Sequence, residues 1–169
     1  TTDPLKPSNP YSASKAAGDM LIMAWHRTHG VPFMILRPTN NYGIGQYPEK
    51  LIPKAVKCLT LGKKIPIHGD GSFIRNWLHV SDTAEALFTI IENGKLNIIY
   101  NVAGNHEVSN REAIADVLRA YFGKAVPLDK HVKLQYERQG EDIRYSIDDS
   151  DIRALGYQVH LVIPENASP

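Results

Sequence analysis

Tyr11 and Lys15 stand four residues apart in Asn9-Pro10-Tyr11-Ser12-Ala13-Ser14-Lys15, at what the sequence marks as the start of a helix. Residues i and i+4 of a helix share one face, so the pattern sets an ammonium beside a phenol. A neighbouring positive charge favours the phenolate form. A phenolate so held can take the proton from a sugar or alcohol hydroxyl while hydride leaves the carbon. An ordinary first helical turn with a solvated lysine accounts for the same spacing, and the rest of the chain has to decide between them.

Other reactive side chains offer less. Cys58, the single cysteine, lies in an apolar helical stretch, where packing suits it better than nucleophilic work. A lone thiol makes no internal disulfide and fits a reducing, cytoplasmic setting. His26, His29, His68, His79, His106, His131 and His160 form no metal spacing with neighbouring carboxylates, so no metal is expected. The 19 basic and 18 acidic residues give a net charge of +1, with no basic stripe and no acidic run. Nucleic acid is therefore not expected as a partner. Any anion must be bound by local Arg, Lys and backbone amides rather than by a global field. The apolar run around Val31 to Leu36 is far too short for a membrane span, and no membrane partner is expected.

The elements that must position these residues alternate between strand and helix. Asn9 caps and Pro10 starts a helix running to about His29, stopped by Gly30. Met20, Ile22, Met23 and Trp25 make that helix apolar nearly all round, which suits burial on two faces. Val31 to Pro38 reads as a buried parallel strand and residues 39–48 as a loop. A helix is expected from Glu49 to about Leu61, followed by a strand from Ile65 to His68 and a tight turn at Gly69-Asp70-Gly71. Ser81 is expected to cap a helix through Ile91, with Asp82 in its first turn. Ile98 to Val102 is another strand. Ser109-x-x-Glu112 is a capping box for a helix reaching Phe122, and Gly123 stops it. An extended, charged stretch follows from Pro127 to Tyr145, then a short helix capped by Ser150 and ended by Gly156. This alternation argues an α/β fold with an at least partly parallel sheet.

Four motifs occur in order: Tyr11-Ser-Ala-Ser-Lys15, Leu36-Arg-Pro-Thr-Asn40-Asn41-Tyr42-Gly43, Pro48-Glu-Lys50-Leu51-Ile52-Pro53 and Ile74-Arg75-Asn-Trp77-Leu-His79-Val80-Ser-Asp82. Together, over about Asn9 to Tyr157, they resemble the C-terminal half of the extended short-chain dehydrogenase/reductases. Within that family the likeness is greatest to the nucleotide-diphosphate-sugar 4,6-dehydratases, those acting on dTDP-glucose above all. The resemblance implies the C-terminal part of a Rossmann-like fold with a smaller α/β substrate-binding domain. It implies that residues 1–45 end an NAD-binding domain, that 46–160 mainly bind the nucleotide sugar, and that 161–169 form a divergent tail. It implies NAD as cofactor, a nucleotide-diphosphate sugar as substrate, and a homodimer built on the Tyr-x-x-x-Lys helix and the next helix.

The roles implied are specific. Tyr11 matches the catalytic base, and Lys15 the residue that favours its phenolate and holds the nicotinamide ribose. In such enzymes NAD takes hydride from C4 of the hexose, water leaves from C5 and C6, and hydride returns to C6. Asn40 matches a substrate contact and Asn41 a cofactor contact, though a turn rich in Asn would read the same way. Lys50 and Leu51 match positions lining the diphosphate and base site at a helix N-terminus, a natural anion seat. Pro66, Ile67 and His68 match the strand under the nucleobase. Arg75 matches a bidentate phosphate ligand, with a surface salt bridge as the plainer alternative. Asn110 matches a second diphosphate contact, although it also follows directly on the capping box. Arg138 opens a segment where the family has Arg-Pro-Gly-His-Asp; here Gln139 and Glu141 replace the Pro and the His, which leaves the nucleobase and sugar open.

The glycine-rich loop for the cofactor pyrophosphate is not in the sequence, nor is the Thr-Asp-Glu segment that supplies acid and base for water elimination. The opening Thr-Thr-Asp-Pro has neither a Met nor an apolar leader. The expectation is therefore a segment of a longer dehydratase. The alternatives are a 4-epimerase of the same superfamily, or a non-catalytic nucleotide-sugar-binding fragment.

Overall fold

The structure, a computed structural model, describes residues 4–136, 140, 142–144 and 146–160. Helix α1 (Pro10–His29) has the bounds the sequence marks, because three local signals agree. The Asn9 side chain accepts from the Ser12 N–H at 2.9 Å, Pro10 sits in the first turn, and Gly30 adopts the left-handed conformation (φ 68°). The remaining helices are α2 (Leu51–Thr60), α3 (Val80–Asn93), α4 (Asn110–Phe122), α5 (Leu128–His131) and α6 (Ser150–Arg153). The strands are β1 (Met34–Pro38), β2 (Asn40–Tyr42), β3 (Ile65–His68), β4 (Ile74–His79), β5 (Ile98–Val102), β6 (His106–Ser109) and β7 (Val132–Gln135).

Three ladders organise them. β1 pairs parallel with β5, and β3 parallel with β7. β4 is the middle strand of the third sheet, parallel to β2 and antiparallel to β6. Parallel pairs need crossover connections, and here these carry helices. The fold is the expected α/β type.

The differences from the sequence reading have local causes. β2 forms inside the expected loop because β4 offers it a ladder: Asn40, Asn41 and Tyr42 lie opposite Trp77, Leu78 and His79. β4 itself hides from pattern reading, since Arg75, Asn76, Trp77 and Leu78 are all buried and no period of two survives. β1 starts at Met34 rather than Val31. Pro32 has no N–H to give a ladder, and the Phe33 N–H donates to the Asn97 side chain at 3.2 Å. Of that strand only Ile35 is buried. α2 begins at Leu51, not Glu49, because Lys50 stays extended. α3 is capped by His79 rather than Ser81: the His79 Nδ1 accepts from the Ser81 N–H at 3.2 Å. The stretch after Pro127 is not simply extended, since it forms α5 and then β7. Ser150 is the first residue of α6, and its N–H is held by the Asp148 carboxylate at 2.9 Å. The capping box of α4 is present as expected, with Ser109 and Glu112 each holding the other's N–H.

Two cores result. One gathers Leu78, Ala86, Ile90, Tyr100, Val102 and Ile152 between β4, β5, α3 and α6. The other gathers Ala55, Ile65, Ile67, Ile114, Leu118 and Val132 between α2, β3, α4 and β7, with a half-buried Cys58 packed against it. Each fully buried Ile or Leu contributes roughly 1.5–3 kcal/mol over its exposed state. α1 belongs to neither core. None of its twenty residues, all described, is buried. One tie to the sheet is an ion pair, in which Asp19 accepts from Arg37 of β1 at 2.7 Å.

Candidate active site

The first two turns of α1 present Tyr11 and Lys15 on one open face. Tyr11 is 73% exposed, and Lys15 is exposed as well. The expected burial of the helix on two faces is not met within this chain: Met20, Leu21, Ile22 and Trp25 also lie open.

The second group of candidates is assembled by β4. Paired residues in a ladder point to the same side of the sheet, and alternate residues along a strand share a face. Asn40 pairs with Trp77, and Arg75 lies two residues before Trp77. Asn40 and Arg75 therefore stand on one face of the β2-β4-β6 sheet, which also carries Tyr42 and His79 with their rings edge to face at 5.1 Å. Arg75 is no surface residue. It is 6% exposed, and one guanidinium nitrogen donates to the Ile74 carbonyl at 2.8 Å and the Asp142 carbonyl at 2.9 Å. The guanidinium also lies over the Phe73 ring, 5.8 Å from its centre. These contacts fix its plane, which a forked contact to phosphate requires.

Asn41 points the other way. Its Oδ1 accepts from Thr83 of α3 at 2.7 Å, and its Nδ2 donates to the Thr39 carbonyl at 2.9 Å. Its backbone carbonyl accepts from Gln46 at 2.7 Å. The amide is occupied in locking β2 onto α3.

Sequence reasoning missed Asn76, which lies next to Arg75 on the opposite face. Its Oδ1 accepts from Thr39 Oγ1 at 2.9 Å and from the Gly104 N–H at 2.7 Å, while its Nδ2 donates to the Gly104 carbonyl at 2.8 Å. One buried amide thus joins the β1–β2 junction, β4 and the β5–β6 turn. Gly104 has to be glycine, since a Cβ there would meet the Trp77 carbonyl oxygen at 1.8 Å. The available signal was an Asn between Arg and Trp in a segment with no strand period.

The remaining candidates divide. Asn110 starts α4, and its N–H donates to the Phe73 carbonyl at 3.0 Å, beside the start of β4. Lys50 stands at the N-cap of α2, largely exposed, with its ammonium 3.5 Å from Glu49. Leu51 packs on the second core. In β3 the side chains alternate, so that Ile67 points into the core while Pro66 and His68 are half-buried. Ile67 can therefore offer a ligand only its backbone. His68 stacks edge to face on Tyr136 at 5.5 Å. Arg138, with Gln139 and Glu141, lies outside the described residues.

Tyr42 is a poor rival for Tyr11 as a base. Its burial, and then the Asp82 carboxylate, push its phenol above the ordinary value, so the proton stays on. Burial drives Tyr157 the same way. Among the described residues no group of three or more His, Cys, Asp or Glu could hold a metal ion, and no helix is long and apolar enough to cross a membrane.

The helix-linked parallel strands make an α/β protein that carries Tyr11 and Lys15 on a helix and Asn40 and Arg75 on one sheet face. The model of the NAD dependent epimerase/dehydratase family matches residues 1–103, and the chain belongs to that family. A dTDP-glucose 4,6-dehydratase of Haemophilus influenzae is 40% identical in an alignment that covers 96% of this chain and 50% of that protein. A dTDP-glucose 4,6-dehydratase from Streptomyces venezuelae, solved with NAD bound, superposes with a TM-score of 0.88 at 38% identity, covering 95% of this chain and 49% of that one. A UDP-glucuronic acid 4-epimerase from Bacillus cereus shares the fold, with a TM-score of 0.87 at 22% identity, over 96% of this chain and 52% of that one. The chain spans about half the length of the curated relatives it matches.

Proposed function

We propose that this chain is the substrate-side half of an NAD-dependent nucleotide-sugar 4,6-dehydratase of the dTDP-glucose kind, working with the half that carries the glycine-rich loop. The observation that carries the reading is the pairing of Tyr11 and Lys15 on one open helix face with Asn40 and Arg75 on one sheet face. The 40% identity to a dTDP-glucose 4,6-dehydratase favours dehydration over epimerisation.

Tyr11 would take the proton from the C4 hydroxyl of the hexose, and the Lys15 charge on the same face would stabilise the anion formed there. Arg75 and Asn110 would hold the diphosphate, and Asn40 a sugar hydroxyl, keeping C4 in line. The exposed phenol and ammonium of α1 suit the ribose hydroxyls of NAD. The amide of Asn41, spent on Thr39 and Thr83, suits it to shaping β2 more than to a direct cofactor contact. When bound, NAD supplies the acceptor, and later the donor, of hydride. Residues 1–45 would then complete the cofactor side and 46–160 the sugar-nucleotide side. The open apolar face of α1, with Met20, Leu21, Ile22 and Trp25, supports a homodimer seated there. The single cysteine suits a cytoplasmic enzyme.

Incubating the enzyme, with both halves present, with dTDP-, UDP- or GDP-hexose and reading product mass tests this directly. Loss of one water from the sugar is the expected result. Conversion at unchanged mass would replace the dehydratase with an epimerase, and no conversion of any of them would leave a binding fragment.

A further inference from the structure

The start of α1 is tied to a distant part of the chain. Ser8 Oγ donates to the Asp142 carboxylate at 2.9 Å and also lies 3.2 Å from the Gly140 carbonyl. Asn9 works in two directions: its Oδ1 caps α1 while its Nδ2 donates to the Gly140 carbonyl at 3.1 Å. Gly140 fits only as glycine, with φ 69° and a position where a Cβ would meet the Ser8 carbonyl oxygen at 2.8 Å. The far side of the same segment is bonded to β4. The Asp142 carbonyl accepts from Arg75, the Ile143 carbonyl accepts from the Ile74 N–H at 2.9 Å, and Arg144 pairs with Glu107 of β6.

We propose that Ser8, Asn9 and Asp142 are positioning residues: through residues 140 and 142–144 they set where Tyr11 stands relative to Arg75. The proposal rests on the reading of Tyr11 as base and Arg75 as diphosphate ligand. Within this chain α1 contributes no buried residue, so the contacts that hold its first turn here are polar. The polar strut does that work from the substrate side. A base displaced by a fraction of an ångström loses rate while the substrate, held elsewhere, still binds.

Asn9→Asp separates cap from strut, because aspartate keeps the capping oxygen but sets a carboxylate oxygen against the Gly140 carbonyl. In the enzyme with both halves, kcat is expected to fall roughly tenfold, with KM for the nucleotide sugar within about twofold and the melting temperature held. Ser8→Ala should repeat the split at about threefold, and it decides the matter if Asn9→Asp does not fold. Wild-type kcat in the folded variants overturns the proposal, as does a fall of kcat matched by an equal rise of KM. Tyr11→Phe run alongside keeps the two readings apart. Inactive Tyr11→Phe with fully active Asn9→Asp and Ser8→Ala sinks the strut alone, whereas active Tyr11→Phe sinks the assignment of the base and the strut with it.

Discussion

α1 and β4 carry the two halves of the candidate site and are built in opposite ways. α1 has Tyr11 at 73% exposure and no buried residue, and a side-chain ion pair fastens it to β1. β4 has Arg75 at 6% exposure, four consecutive buried residues and an Asn whose amide makes three hydrogen bonds, two of them buried. The difference teaches that the β4 side of the candidate site is packed within this chain, while the side bearing Tyr11 presents an open surface. A rigid polar core suits recognition of a fixed diphosphate. An open helix face suits a place where another body has to fit.

Asn76→Leu should break the comparison most severely. It leaves the Gly104 N–H and C=O and the Thr39 hydroxyl without their partner, at roughly 1–3 kcal/mol for each orphaned group. A loss of more than about 3 kcal/mol is expected in urea unfolding, and a loss below about 1 kcal/mol would mean that β4 is not the stiff side. Tyr11→Phe acts on the open side and should leave stability alone while lowering turnover about 10²-fold or more. Near-normal product formation would remove Tyr11 from the chemistry.

Arg75→Ala should weaken nucleotide-sugar binding by roughly 1.5–3 kcal/mol, the range for a hydrogen bond to a charged group, and Arg75→Lys should restore only part of it. Titration of dTDP, UDP and GDP reads both effects and names the preferred base. An unchanged dissociation constant for every nucleotide would confine Arg75 to holding Asp142.

The smallest effect concerns the cap of α4. Ser109 holds the Glu112 carboxyl below its ordinary 4.5 through its side chain first and its N–H second. A depressed folded value means a contribution fully present above pH 4.5 and lost as pH falls through the lower folded value. Ser109→Ala should cost about 1 kcal/mol at neutral pH. It should also flatten the acid limb of stability below pH 4.5, which denaturation at a series of pH values would detect.

What was legible in the sequence follows from where the information lies. α1 and α4 were readable to the residue because their signals are local: Asn9 with Pro10 and Gly30, Ser109 with Glu112 and Gly123. β3 and β5 were readable as short apolar runs. β2, β4 and β6 were not, because a strand buried on both faces shows no alternation and its short neighbours exist only through pairing with it. Tyr11 and Lys15 could be picked out by spacing, and Asn40 and Arg75 by resemblance. That Asn40 and Arg75 share a face, and that Asn41 turns away, required knowing β4. The bond from Ser8 to Asp142 spans 134 residues, and no local pattern encodes it.

That span has a consequence for the birth of the protein. A ribosome releases the Tyr11 helix before the rest of this chain, and long-range pairings form only once both partners have emerged. The helix can wind early on its own caps. Its tie to β4 through residues 140 and 142–144 can form only after Gly140 has left the tunnel, 131 residues behind Asn9. Vectorial synthesis thus delivers the helix first and ties it to β4 only late in the emergence of this segment.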